Sequence, residues 1–131
     1  GTGLVTIQIT ASTTVNGLIV LGHYVDGATA ATGFNSTGLT AAAIDHFRST
    51  TKSNCVVAYL GARNNGTLGA ASLTGAAQIY EGKSGTATDD VEAVAGYEQA
   101  PGAATYGAHM DGVSSTTIIL GAVILESALS A

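Results

Sequence analysis

The chain is a succession of short apolar runs, each closed by Gly, Asn, Asp or Ser, and that rhythm leaves little room for anything but β-structure. Leu4 to Thr10 alternates, with Val5, Ile7 and Ile9 on one face and Thr6, Gln8 and Thr10 on the other. Period two is the signature of a half-buried strand. Asn16-Gly17 is a hairpin-type turn pair, since both residues tolerate positive φ. Leu18 to Val25 follows as a second apolar strand, closed by Asp26-Gly27, and residues 28–40 read as a Gly/Ala/Thr/Ser loop. Between Thr40 and Arg48 the alanines at 41–43 favour helix, whereas Ile44, His46 and Arg48 alternate with Asp45 and Phe47. The alternation is taken as a strand. Cys55 to Ala62 is a continuous apolar run of the kind buried on both faces. Ala76 to Glu81 is a short strand, Gly82 to Asp90 a polar loop, and Val91 to Gln99 an alternating strand. Ala104 to Met110 ends at an Asp111-Gly112 turn, before the longest strand, Thr116 to Leu125, and a tail from Ser127. About eight strands without helical periodicity predict an all-β fold: one antiparallel β-sandwich or jelly-roll-like domain over residues 1–131.

Charge narrows the functions. Only 10% of the residues are charged and the net charge is -5. A nucleic-acid partner needs clustered cations, and two Lys and two Arg do not supply them. No polybasic segment suggests attachment to a membrane surface, and no apolar run reaches the ~18 residues of a membrane-spanning helix. Cys55 is the only cysteine, which excludes an intramolecular disulfide; its apolar neighbours predict a buried thiol.

Catalytic chemistry finds little support. The histidines are His23, His46 and His109, all in or beside expected strands. Asp45 and His46 are adjacent, so in a strand they point to opposite faces and cannot work as a pair. No nucleophile elbow and no clustered histidine motif occurs. Asp89, Asp90 and Glu92 could offer oxygens to calcium, but a solvated acidic loop or strand start is the simpler reading. Glu81, Glu92, Glu98 and Glu126 are candidates for a carboxylate pair, without spacing that joins any two. Tyr24, Tyr59, Tyr80, Tyr97 and Tyr106 lie inside expected strands, where core or interface packing outweighs glycan stacking. No catalytic, cofactor-binding or metal-binding residue is assigned.

The second half carries a resemblance. Cys55-Val56-Val57-Ala58-Tyr59-Leu60 is followed by Ala76-Ala77-Gln78-Ile79-Tyr80, by Ala95-Gly96-Tyr97-Glu98 with Ala103-Ala104-Thr105-Tyr106, and by the run from Ser115 to Leu125. Over roughly residues 50 to 127 this order resembles small jelly-roll-like β-sandwich modules of phage virion proteins and of secreted bacterial proteins. The resemblance implies an architecture and a virion or extracellular setting, and it carries no catalytic residue with it.

The expected function is a virion structural protein: a capsid decoration or cement protein, or a head fibre, bound to the major capsid protein or another virion protein. A homo-oligomer, with a trimer as the simplest arrangement, would bury the charge-poor surface. The alternatives are a secreted filament or adhesin subunit assembling by strand addition, and a carbohydrate-binding module. The expected contacts are Val5, Ile7 and Ile9 in the first strand and Leu129 in the tail. Val56, Val57, Leu60, Ile118, Leu120 and Val123 are expected in or beside buried central strands.

Overall fold

The computed structural model describes residues 27–64, 71–85 and 90–130, together with Gln8 and Thr10. Apart from Gln8 and Thr10, the expected strands at 4–10 and 18–25, and with them Val5, Ile7 and Ile9, lie outside the described residues. Seven strands form one antiparallel sheet: β1 (Ala28–Ala31), β2 (Asn35–Thr50), β3 (Cys55–Asn64), β4 (Ser72–Thr74), β5 (Ala77–Lys83), β6 (Val91–Ala100) and β7 (Ala104–Ser127). No helix occurs among the described residues.

β7 organises the sheet. Its 24 residues pair with β2 along nearly the whole of their length. Its second half also pairs with β3 and β1, and its first half with β4. The β2–β7 register shifts where Ala41 pairs with Thr116 but Ala43 with Asp111. Extra residues on one strand of a pair bend the ribbon. Here the bend is sharp enough to bring Thr37 Oγ1 within 3.1 Å of His46 Nδ1, nine residues along the same strand. In a straight strand those residues would sit about 30 Å apart, at about 3.3 Å per residue. Arg48 likewise reaches back to Thr32 Oγ1 at 3.0 Å. The ribbon therefore folds over, and its two halves face each other.

The rest of the sheet nearly closes this fold into a barrel. Pairing runs from the second half of β7 through β3 and β6 to β5. A turn at Gly75, with φ of 81°, then leads back from β5 to β4, which pairs with the first half of β7. Between the walls Val57, Tyr59, Val94, Met110, Leu120 and Ile124 form the buried core with their neighbours.

Several expectations change. Residues 28–40 hold β1 and the start of β2 rather than a loop. Asp111-Gly112 does not end a strand; it lies at the bend of a single long one, where the β2–β7 register shifts. β4 had no signal of its own. Most consequentially, β3 is not buried on both faces: Val57, Tyr59 and Arg63 point inward, Val56 is half-buried, and Leu60 is 42% exposed. In β7, Ile118 and Leu120 are buried as expected, while Val123 is half-buried. An apolar run does not distinguish two buried faces from one buried face and one apolar surface. The all-β antiparallel fold holds, as one nearly closed sheet rather than two clearly separate ones.

Candidate functional site

The registers assign each strand residue to a face. Val57, Tyr59 and Arg63 of β3 face inward and pair with Glu98, Gly96 and Glu92 of β6. The alternate residues face out. In one row Ser36 of β2, Gly121 of β7, Leu60 of β3, Ala95 of β6 and Tyr80 of β5 lie side by side. In the next, Gly38, Ile119, Ala62, Ala93 and Gly82 do the same. The rows beyond add Val123, Ala58 and Tyr97, then Leu125, Val56 and Gln99. No charged side chain stands in these four rows.

Relief on this face comes from a few large residues set among small ones. Phe34 lies over Gly121 so closely that a Cβ there would overlap its ring, and Tyr80 covers Gly82 in the same way. Phe34, Leu60, Ile119 and Tyr80 are 58%, 42%, 43% and 39% exposed. The neighbouring Ala93 and Ala95 are shaded to 4% and 7%.

The charges of the same sheet point the other way. Arg63 donates through Nε and Nη2 to Glu92 Oε2, and both side chains are fully buried. The Ala71 amide donates to Glu92 Oε1 at 2.8 Å. A proton shared with the Glu92 carboxylate first, then burial and the Glu92 charge, push the Glu81 carboxyl above the ordinary range. Tyr59 donates to Glu98 Oε2 at 3.3 Å, and burial followed by the Glu98 charge raises its phenol well above the usual value. Lys52 pairs with Glu126 at 2.5 Å near the sheet end. Of the two expectations for this acidic stretch, solvated loop or strand start, Glu92 meets the second: it is the second residue of β6, and its carboxylate is a buried hydrogen-bond hub.

The first half of β7 and its partners carry a different outer surface. His109 Nδ1 lies 2.7 Å from Asp45 Oδ1, and Nε2 lies 3.1 Å from Asp111 Oδ1. Those two bonds hold the imidazole above its ordinary value. With both ring nitrogens held by carboxylates, His109 has neither nitrogen left to activate a hydroxyl, and one cation cannot be shared by ligands on opposite sides of the ring. Phe47 projects nearby over Gly107, 63% exposed.

The remaining sequence candidates separate. His46 is buried, on the face opposite Asp45, with Nε2 lacking a hydrogen-bond partner; burial and then the Arg48 charge lower its value. Cys55 is buried, its Sγ against the Ser53 carbonyl and the Ser130 hydroxyl. His23 and Tyr24 lie outside the described residues. Tyr59 is in the core, Tyr106 packs against it with its hydroxyl on the Gly102 carbonyl, and Tyr80 belongs to the outer face. Leu129 is 77% exposed on a C-terminal turn tied to Asn54 by its carbonyl. Among the described residues no three His, Cys, Asp or Glu side chains converge as a metal site. The outer face went unread in the sequence because its residues also look like core. No protein-family model, curated protein or solved structure matches the chain.

Proposed function

We propose that this protein is a non-catalytic structural subunit, a homo-oligomer that decorates and stabilises a virion capsid by binding its major capsid protein or a neighbouring virion protein. One observation carries the reading: among the described residues, one outer face of the sheet is apolar and without charge, while another carries Asp45, His109 and Asp111. A subunit seated in an assembly needs one face to be covered and another to meet water. An exposed apolar patch of this extent on an isolated domain marks an interaction site. The non-catalytic part is supported by His109, held between two carboxylates, and by the burial of His46 and Cys55.

A second reading, a filament or adhesin subunit assembling by strand addition, is favoured by β2. It pairs with β7 on one side, and among the described residues no strand pairs with the other edge of its 16 residues. Such an edge is a template for a further strand. Leu129 remains a proposed contact in either assembly.

Negative-stain microscopy of the native source, with immunogold against this chain, tests the proposal. Gold on icosahedral heads is expected. Gold along a continuous filament would replace the capsid reading with strand addition, and recovery solely as free monomers would refute both.

A further inference from the structure

We propose that the charge-free outer face is covered by a second copy of the same chain, packed sheet to sheet about a two-fold axis. The inference rests on the assembly reading above and adds its partner and geometry. Charge is the first argument. Each copy carries a net charge of -5, so copies repel unless they meet where no carboxylate opposes another. The outer face of β7, β3, β6 and β5, with the adjoining edge of β2, offers that among the described residues. Area is the second. With strands about 4.8 Å apart and residues about 3.3 Å apart, the face covers roughly 700 Å². A standard stable interface buries about 800 Å² per partner.

Relief is the third argument. Leu60 stands among Ala58 and Ala62 along its own strand and Ala95 across the ladder to β6, while Phe34 fills the Gly121 side. A projecting side chain flanked by small residues is knob and hollow together. A two-fold rotation can therefore seat the Leu60 of each copy among the small residues of the other. The small residues also argue against lipid, since a lipid-facing sheet presents a continuous bulky apolar band. A two-fold contact is isologous and closes at two copies. The proposed unit is thus a dimer, in place of the trimer expected from the sequence.

Sedimentation velocity of the purified full chain tests this directly. The wild type should sediment as a dimer. Leu60→Glu should raise the dissociation constant about a hundredfold or more, because it drives a carboxylate into an uncharged interface. Ile119→Lys repeats the measurement should Leu60→Glu fail to give a wild-type circular dichroism spectrum. Phe47→Glu, on the polar side, should leave the dimer unchanged. A monomeric wild type, or a folded Leu60→Glu that still dimerises, overturns the pairing. Monomeric wild type that floats with phosphatidylcholine vesicles overturns it in favour of lipid. Monomeric wild type that binds purified capsids, with loss of binding in Leu60→Glu, overturns the pairing while leaving the decoration role standing. A dimer abolished by Leu60→Glu in a chain absent from the source's particles supports the pairing and refutes the decoration role.

Discussion

Arg63 and Glu92 show how far one residue's environment departs from its type. Both are ionic groups with fully buried side chains, bonded to each other, with Glu92 also accepting from the Ala71 amide. Such a pair contributes little net stability, but breaking it leaves a buried charge without compensation. Arg63→Met should therefore cost about 3–5 kcal/mol in urea unfolding, and Arg63→Met with Glu92→Leu should recover most of that loss. The two described histidines act in opposite directions on pH. His46 has a folded-state value below its ordinary 6.5, so its share of stability is intact above that value and is lost as pH falls through it. His109 has a raised value, so its share is present below 6.5 and is lost as pH rises through the folded value. The two partly offset where their transitions overlap, around the ordinary 6.5. Against the wild type, His46→Gln should shift the urea midpoint in favour of the acid end, and His109→Gln in favour of the neutral end. Profiles that move the other way would contradict the assignment of these environments.

At the scale of elements, the critical joints are the bend in the β2–β7 ribbon and the seam at β4. The seam turns on Gly75, whose φ of 81° suits glycine and where a Cβ would come within 2.6 Å of the Gly107 carbonyl oxygen. Gly75→Ala should cost about 1–3 kcal/mol, as left-handed backbone strain does. Amide exchange should quicken first at Ser72 to Thr74, the short strand that joins β7 there. Uniform protection loss across β3 and β6 would instead mean that the seam and the barrel open together. The sequence carried β3 and β6 almost to their ends, because turn residues bound their β-rich runs. It did not carry β4: three residues are too few for a period. Nor did it separate a turn at Asp111-Gly112 from a bend, since both use the same residues and only the partner strand distinguishes them.

Across the whole molecule, charge and apolar surface are sorted to different places. Arg63, Glu92, Glu98 and Glu126 belong to the inward side of the sheet, and Asp45, His109 and Asp111 to the outer surface at the other end of the bent ribbon. An interface built on the charge-free face should not weaken with salt. The dimer dissociation constant should stay level or fall between low and moderate ionic strength, because the face holds no charge pair to screen while the repulsion between two copies of net charge -5 is screened. A steep weakening with salt, measured by sedimentation, would move the contact to the charged side. Ile124→Ala, in the core beneath the face, should cost about 2–5 kcal/mol in unfolding without changing that constant in the folded protein.

The alternation and the turn residues determined by themselves that this chain is all-β and antiparallel, and that Val57, Ile118 and Leu120 belong to the core. Local backbone preference and side-chain period act over a few residues, so they are legible wherever a few residues can be read. Tertiary structure decided which of two apolar faces is inside. Leu60 and Val57 have the same hydropathic character and share one run, yet register with β6 and β7 sets one outward and the other at the centre. It also decided that Glu92, read as part of a solvated loop or a strand start, lies beside Arg63, since that contact joins positions separated by 29 residues. Long-range pairing depends on where strands meet, and a one-residue change in register exchanges the two faces of a strand.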